Sequence, residues 1–255
     1  MSSVLLNVEQ LSMRFGGLLA VDGVGFEVLS DEVFAIIGPN GAGKTTVFNC
    51  VGGFYKPTAG TVVFDGKNIT GLPSHKVAQH GVVRTFQNVR LFKGLTVLEN
   101  LLVAQHMRLK SRMIGGLLKL KSFNRSEQRA QERAAQWLDF MGLREFSNRE
   151  AGNLPYGYQR KLEIARCMIT EPRLLMLDEP AAGLNPQEKH DLQKMIDRLR
   201  REFNVAVLLI EHDMSLVMGV SDRILVMEHG RPIITGTPEQ VRNDERVIKA
   251  YLGEA

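Results

Sequence analysis

The sequence is poor in the features that mark secreted, zinc-binding or membrane-spanning chains. Its only two cysteines, Cys50 and Cys167, lie far apart without CxxC spacing, which argues against a disulfide framework and a cysteine-ligated metal. No uninterrupted run of about eighteen apolar residues occurs, and residues 1–7 have no basic stretch before an apolar segment. We therefore expect neither a signal peptide nor a membrane span, and a reducing cytosol suits the chain.

The chain also lacks a strong charge of either sign. A formal net charge of +4 over 255 residues is typical of a solvated, mixed surface, so we expect no nucleic-acid partner. Hydrophobic residues make up 44% of the chain, enough for a large core in one globular unit or in a core domain with a sizeable insertion. Composition thus indicates an ordered globular protein but does not indicate its activity, which has to be inferred from the motifs.

Short, bulky apolar runs indicate a parallel α/β core. The run at residues 33–37 stops at a glycine-rich turn, as a strand buried on both faces of a parallel sheet would. Similar runs return at 174–177 and 205–210, separated by a segment at 187–201 with helical apolar spacing. This alternation of strand and helix is the pattern of a parallel sheet covered by helices.

Further strands and an insertion complete the predicted architecture. Strands predicted at 61–64 and 224–227 precede glycine-containing turns, so we expect antiparallel pieces to border the parallel core. After about residue 88, strand signals fade and helical spacing takes over. We therefore predict that residues 1–87 and 167–255 form the core and that residues 88–166 form an inserted helical subdomain.

Two helices are predicted within the insertion, at 96–107 and 126–141, where apolar residues recur at helical spacing beside charged faces. The stretch 108–133 carries far more basic than acidic residues. A solvated helix face is the simpler explanation of this stretch, and contact with anionic lipid headgroups is the alternative.

A glycine-rich sequence follows the strand predicted at 33–37. It reads Gly38, Pro39, Asn40, Gly41, Ala42, Gly43, Lys44, Thr45, and matches the phosphate-loop pattern G-x-x-x-x-G-K-[ST]. Glycines let backbone N–H groups converge on phosphate oxygens, and the helix that follows presents its positive end. Lys44 supplies a mobile charge, and the Thr45 hydroxyl can ligate magnesium. We therefore predict a nucleotide site here, including Thr46.

Two adjacent carboxylates, Asp178 and Glu179, end the strand predicted at 174–177. Alternation along a strand sends their side chains in different directions, so they can divide their roles. At the carboxyl edge of the sheet, Asp178 is expected to hold Mg²⁺ through water, while Glu179 polarises the water that attacks the γ-phosphate of ATP.

A turn running into an amphipathic helix lies upstream of this acidic strand. Its residues are Leu154, Pro155, Tyr156, Gly157, Tyr158 and Gln159. Taken alone, it is a helix cap. Together with the phosphate loop and the acidic pair, however, it resembles the LSGGQ signature of ABC ATPases, and the resemblance covers essentially the whole chain. It implies a RecA-like P-loop NTPase core with an antiparallel β subdomain and an inserted helical subdomain that carries the signature.

The resemblance to ABC ATPases assigns further roles. It implies that Phe15 stacks on adenine, that Gln87 is the Q-loop residue and a magnesium ligand, and that His212 is the switch histidine, with Gln87 and His212 assisting Glu179 in catalysis. It identifies the D-loop through Gly183, Leu184 and Asn185. Each assignment has a physical basis: an aromatic face can stack on a base, and a histidine at a strand's carboxyl end can donate to a γ-phosphate oxygen.

Two residues depart from the family pattern. Pro155 and Tyr156 replace the serine and first glycine of the signature, which removes a hydroxyl donor and one backbone N–H for the opposite subunit's phosphate. Asn185 stands where the D-loop usually has aspartate, so a short hydrogen-bonding side chain is kept without its charge. Both changes bear on the strength of the contact between two ATP-binding subunits.

Within the family, the chain most resembles the ATP-binding subunits of branched-chain amino-acid importers. The resemblance is carried by residues 84–92, 180–186, 211–214 and 251–255. It implies a second ATP-binding subunit, which is the same or a related chain, two membrane permeases, an external solute-binding protein and a peripheral place on the cytoplasmic face of the inner membrane. The alternatives are a urea or amide importer, a lipid exporter, and a soluble ABC ATPase that acts as a nucleotide-dependent switch.

Overall fold

The computed structural model describes residues 3–87, 89–105 and 121–252, and gives the backbone alone at 121–126 and 252. The chain folds into two compact units. The core unit comprises Met1–Gln87 and Arg173–Ala255, and the inserted unit comprises Asn88–Pro172. The second boundary was predicted after residue 166, which lies inside the helix Tyr156–Met168. The division follows Pro172 instead, just before the strand that begins at Leu174.

The strands of the core unit are β1 (Val4–Phe15), β2 (Leu18–Leu29), β3 (Val33–Ile37), β4 (Ala59–Phe64), β5 (Lys67–Asn68), β6 (Val82–Arg84), β7 (Leu174–Asp178), β8 (Ala206–Ile210), β9 (Arg223–Glu228) and β10 (Arg231–Gly236). Its helices are α1 (Lys44–Val51), α2 (Ser74–Gln79), α6 (Pro186–Phe203), α7 (Met214–Val220), α8 (Pro238–Asn243) and α9 (Glu245–Leu252). Those of the inserted unit are α3 (Val97–Gln105), α4 (Lys121–Met141) and α5 (Tyr156–Met168).

The predicted parallel core is a six-stranded sheet with the order β10-β9-β3-β8-β7-β6. Strands β3, β7 and β8 are buried at every residue, which explains their unbroken apolar runs. They are mutually parallel, so their carboxyl ends meet at one edge of the sheet. That edge holds the phosphate loop after β3, the acidic pair at the end of β7 and the histidine turn after β8.

The strand predicted at 224–227 lies in the parallel core rather than at its border. Strand β9 pairs in parallel with β3, and only its other neighbour, β10, is antiparallel. The expectation of an antiparallel border was therefore wrong for β9 and right for β10. A glycine-containing hairpin turn identifies one neighbour of a strand and carries no information about the other.

A separate four-stranded antiparallel sheet has the order β2-β1-β4-β5. The predicted strand at 61–64 is confirmed as part of β4. Its turn, Asp65 and Gly66, has positive φ at both residues, as a tight hairpin between twisted strands needs. The long hairpin of β1 and β2 matters most for the site, because its tip lies near the phosphate loop.

The described part of the inserted unit is mainly helical. Helices α3 and α4 overlap the segments predicted at 96–107 and 126–141, and α4 begins five residues before the predicted start. Leu101, Leu138 and Leu143 are fully buried within the unit. Of the basic stretch 108–133, residues 108–120 and the side chains of 121–126 lie outside the described residues, while Arg133 pairs with Glu171 at 3.0 Å on the surface.

Both cysteines are buried, Cys50 in the core unit and Cys167 in the inserted unit. Burial raises the pKa of the Cys50 thiol to about 11, which makes it an inert core residue at neutral pH. Among the described residues, no helix has the length and apolar character needed to span a bilayer.

Candidate functional site

The phosphate loop occupies a space in which only glycine fits at two positions. A Cβ on Gly38 would lie 2.0 Å from the carbonyl oxygen of Met227, and one on Gly43 would lie 2.6 Å from that of Ala20. Both glycines also have positive φ. The loop therefore packs directly against the backbone of β2 and β9, and the glycine pattern read from the sequence has a steric cause.

Lys44, the first residue of α1, folds back over the loop. Its Nζ donates to the carbonyl oxygens of Gly38 at 2.7 Å and Pro39 at 2.9 Å, and the residue is 8% exposed. Burial lowers the pKa of Lys44 from its ordinary value, and the negative charge of Glu179 acts in the opposite direction. The ammonium group is thus a buried cation held by carbonyls that phosphate oxygens can replace.

A cleft of about 500 Å³ lies over the phosphate loop. Its lining includes the predicted residues Asn40, Gly41, Ala42, Gly43, Lys44, Thr45, Thr46 and Glu179. It also includes Leu18, Leu19 and Ala20 from the start of β2, and His229 and Gly230 from the turn between β9 and β10. These last five residues were not predicted as part of the site, because each lies in a strand or hairpin whose position depends on long-range pairing.

The hairpin turn at His229 and Gly230 is tied to the phosphate loop. The N–H of Gly230 donates to the carbonyl oxygen of Ala42 at 3.2 Å, and the N–H of Asp22 donates to that of Gly230 at 2.9 Å. Both turn residues have positive φ, a conformation that favours glycine. Gly230 was therefore the only feature of the sequence that indicated this turn. The turn therefore forms one wall of the cleft.

Phe15 lies at the end of β1, three residues before Leu18, which lines the cleft. The residue is 41% exposed, and its ring makes an edge-to-face contact with that of Tyr55, with the ring centroids 5.3 Å apart. An exposed aromatic face beside a phosphate site can stack on a nucleotide base. Tyr55 supports that ring and was not singled out from the sequence.

Asp178 ends β7 and is almost completely buried. Its Oδ2 pairs with the Nη2 of Arg84 at 2.5 Å, and its N–H donates to the Oγ1 of Thr85 at 3.2 Å. Arg84 also donates to the Oδ1 of Asn49 at 2.6 Å. The acidic strand end is thereby joined to the end of β6, which leads within three residues to Gln87.

Glu179 lies close to the side chains of the other two predicted catalytic residues. The Nε2 of Gln87 donates to the Oε2 of Glu179 at 3.0 Å, and the Nδ1 of His212 lies 3.8 Å from the same oxygen. The first distance is a hydrogen bond and the second is too long to be one. The three residues come from the ends of different strands of the parallel sheet, which brings them together at its carboxyl edge.

The D-loop leads from β7 into α6. Gly183 has φ of +77°, Leu184 is half-buried, and Asn185 caps α6 by accepting from the N–H of Glu188 at 2.9 Å. The Glu188 carboxylate accepts from the N–H of Asn185 in return, which completes a capping box. Asn185 therefore has a local role that does not require the charge of aspartate.

The signature sequence belongs to the inserted unit. Pro155 is the N-cap of α5, and its carbonyl accepts from the N–H groups of Tyr158 and Gln159 at 3.0 and 3.1 Å. The Gln159 side chain donates to the carbonyl oxygen of Leu154 at 2.8 Å. The N–H groups of Tyr156 and Gly157, the first two residues of α5, have no intrahelical acceptor, so they can bind an anion.

A phosphate loop, an acidic strand end, a histidine just after the neighbouring strand, and a helix with the signature sequence in a second compact unit define an ATP-binding cassette. Residues 21–182 match the family model described as ABC transporter, and the chain belongs to this family of ATP-binding transport ATPases. Residues 231–255 match a second model, described as branched-chain amino acid ATP-binding cassette transporter.

Relatives with established names are similar over their whole length. The high-affinity branched-chain amino acid transport ATP-binding proteins BraF of Pseudomonas aeruginosa and LivG of Escherichia coli are 62% and 60% identical, with 100% of each chain covered. The crystal structure of an ATP-binding cassette of an ABC transporter in its ADP conformation has a TM-score of 0.85 at 34% identity and covers 100% of both chains. The predicted fold class is thereby confirmed.

Proposed function

We propose that this chain is the ATP-binding and ATP-hydrolysing subunit of an importer for branched-chain, hydrophobic amino acids. The transported solute is supported by the similarity to BraF and LivG, whose names state that transport, and by the match at residues 231–255. The hydrolytic step is supported by one arrangement above all: Glu179 lines the cleft beside Lys44 and is approached by Gln87 and His212.

The cleft suits a nucleoside triphosphate. The N–H groups of the loop from Gly38 to Thr46 and the positive end of α1 bind the phosphates. Lys44 exchanges its carbonyl partners for the β- and γ-phosphates. The ring of Phe15, supported by Tyr55, stacks on the adenine. All of these groups belong to the core unit.

Mg²⁺ fits the donor set, which consists of the hydroxyl of Thr45, the carboxylate of Asp178 and the amide of Gln87. Magnesium prefers oxygen ligands and is commonly held by one or two side chains together with phosphate oxygens and water. Gln87 uses its amide nitrogen on Glu179, so ligation would fall to its amide oxygen. When bound, the metal neutralises charge on the phosphates of ATP.

For hydrolysis, Glu179 polarises the attacking water as general base. Gln87 holds the carboxylate of Glu179 through the 3.0 Å hydrogen bond, and His212 donates to an oxygen of the γ-phosphate. Glu179 has φ of +45°, a conformation that non-glycine residues adopt rarely and that often marks functional sites.

The working assembly contains a second ATP-binding subunit, two membrane permeases and an external solute-binding protein. The signature from Leu154 to Gln159 acts on the ATP of the opposite subunit, and the D-loop from Gly183 to Asn185 lines the same contact. The subunit lies peripherally on the cytoplasmic face of the inner membrane. Closing of the ATP-bound pair and its reopening after hydrolysis drive the permeases.

The test is purification of the tagged full chain from detergent-solubilised membranes, followed by reconstitution of the co-purifying chains in proteoliposomes. ATP-dependent uptake of leucine, isoleucine and valine is expected, with no uptake in an assembly carrying Glu179→Gln. Uptake of urea or amides in place of these amino acids would refute the proposed solute. Recovery of the chain without any membrane protein would refute the transporter role.

A further inference from the structure

Glu211 is a buried carboxylate that has no part in the site described so far. It is fully buried, follows the last residue of β8 and precedes His212. Burying a carboxylate is unfavourable unless hydrogen bonds replace the water that it loses. The hydrogen bonds that Glu211 makes therefore indicate its role in the structure.

The two oxygens of Glu211 bind two different turns. Oε1 accepts from the backbone N–H of Ala181 at 2.7 Å, and Oε2 accepts from those of His212 and Asp213 at 3.0 and 3.2 Å. Ala181 belongs to the turn after β7 that begins with Glu179, whereas His212 and Asp213 form the turn between β8 and α7. One carboxylate thus joins the turns that carry both proposed catalytic groups.

The separation of Glu179 and His212 depends on these turns. The N–H of Glu179 donates to the carbonyl oxygen of Ile210 at 2.9 Å, which fixes the start of the first turn on β8. The Nδ1 of His212 lies 3.8 Å from the Oε2 of Glu179 and 3.9 Å from the Oε2 of Glu211. In the proposed mechanism Glu179 and His212 both act at the γ-phosphate of ATP, so a shift of either turn would displace one of these two side chains.

We propose that Glu211 is a positioning residue for ATP hydrolysis, whose carboxylate fixes the turn of Glu179 against the turn of His212. It acts through these two residues, so the inference rests on their proposed roles. Only a carboxylate suits the place, because both of its oxygens accept hydrogen bonds and neither donates. Glutamine has nearly the same shape but would present an NH₂ group to a backbone N–H donor.

Glu211→Gln in the full chain tests this inference, with Glu32→Gln as a matched control. Glu32 is also buried, accepts from the N–H of Leu29 at 2.8 Å and pairs with Arg223 at 3.3 Å, and it does not line the cleft. We expect Glu211→Gln to lower kcat by about 10²-fold, the effect of a misplacement of about 1 Å, while the Kd for ATP changes little. Glu32→Gln should keep kcat near that of the original chain.

Amide hydrogen exchange supplies a second measurement that does not depend on turnover. In Glu211→Gln, the amides of Ala181 and His212 should exchange faster, while those of β1 exchange as before. If Glu211→Gln does not fold, Glu211→Asp replaces it: the charge is kept, the reach is one methylene shorter, and the same local loss with a smaller fall in kcat is expected.

The possible outcomes separate this inference from the proposed function. Normal kcat in Glu211→Gln, together with an inactive Glu179→Gln, would overturn the role of Glu211 alone. Normal turnover in Glu179→Gln would remove the general-base role on which this inference rests, whereas the absence of ATP hydrolysis by the original chain would overturn the proposed function itself. If Glu211→Gln lost kcat and ATP affinity equally, with faster exchange throughout the core unit, Glu211 would be a structural residue and the positioning role would be wrong.

Discussion

Arg84 and Asp178 form a buried ion pair, 2.5 Å between Nη2 and Oδ2, with side chains 8% and 7% exposed. The guanidinium carbon of Arg84 also lies 5.3, 5.4 and 5.6 Å from the ring centroids of Phe48, Phe54 and Phe86. A cation held against aromatic rings and a carboxylate is well stabilised, whereas the carboxylate would be left uncompensated without it. The proposed metal ligand therefore has a permanent cationic neighbour.

Arg84→Met should lower the free energy of unfolding by about 3–5 kcal/mol, because it leaves the charge of Asp178 buried and unpaired. ATP with magnesium would restore a positive charge near Asp178, so it should raise Tm more in the variant than in the original chain. Urea unfolding and thermal scans measure both effects. The control is Arg173→Met, which breaks the half-exposed pair with Asp65 and should cost about 1 kcal/mol or less. Equal ligand-induced shifts in Tm would contradict the charge argument.

Glu179→Gln should slow hydrolysis by about 10²–10⁴-fold while ATP still binds, because the amide cannot take a proton from water. The variant should accumulate as an ATP-bound dimer. Phosphate release and size-exclusion chromatography measure the two effects, with the exposed Glu202→Gln as the control. Turnover at the original rate would remove Glu179 from the role of general base.

Lys44→Ala should affect binding rather than the chemical step alone. Its ammonium group supplies charge-assisted hydrogen bonds worth about 1.5–3 kcal/mol, so the Kd for ATP should rise by roughly ten- to a hundredfold. Titration with a fluorescent ATP analogue measures this change, and the exposed Lys194→Ala on α6 is the control. Unchanged affinity would mean that Lys44 keeps its bonds to Gly38 and Pro39 when nucleotide binds.

The local parts of this fold could be predicted because their signals are local. The run at 33–37 has to be apolar because β3 is buried on both faces, and Gly38 and Gly43 have to be glycine because backbone lies where a Cβ would be. Lys44 and Thr45 follow from the same pattern. A strand, a loop and the start of a helix within about fifteen residues carry enough information to fix one another.

The remaining parts depend on contacts between distant segments. Arg84 and Asp178 are 94 residues apart, and nothing near either residue reveals the pair. His229 enters the cleft only because β9 lies beside β3, an arrangement that the hairpin turn does not specify. In the sequence Glu211 is simply an acidic residue before a histidine, and its hydrogen bond with the N–H of Ala181 forms only in the folded chain.

Tyr251 gives a pH prediction. The residue is 37% exposed as a whole, but desolvation of its phenol raises the pKa to about 12, and the nearby backbone of Gly38 acts in the opposite direction. An ordinary tyrosine ionises near about 10, so the folded state holds this proton where the unfolded state has lost it. Its contribution to stability is therefore complete below pH of about 10 and is lost as the pH rises towards 12.

Spectrophotometric titration of the phenols tests this prediction. The last ionisation step should disappear in Tyr251→Phe and remain in Tyr55→Phe. The free energy of unfolding of Tyr251→Phe should also fall less between pH of about 10 and 12 than that of the original chain. A last step that persists in Tyr251→Phe would assign it to another tyrosine.

Pro155 tests how the signature contributes to the proposed dimer. As N-cap of α5, it offers a carbonyl to Tyr158 and Gln159 but has no hydroxyl for the phosphate held by the opposite subunit. Pro155→Ser would restore one charge-assisted hydrogen bond of about 1.5–3 kcal/mol, so ATP-driven association should tighten by roughly ten- to a hundredfold. Loss of the fixed φ of proline offsets about 0.4–1 kcal/mol of this gain.

The experiment is sedimentation of Glu179→Gln dimers with and without Pro155→Ser, with ATP titrated at fixed magnesium. The control is Pro238→Ser at the start of α8, a first-turn proline of the core unit that lies outside the signature. A lower ATP concentration at half-association is expected for Pro155→Ser alone. An unchanged or weaker dimer would show that the serine hydroxyl caps α5 instead of reaching the phosphate. In that case proline fixes the conformation of the turn, and the N–H groups of Tyr156 and Gly157 are enough to bind the phosphate.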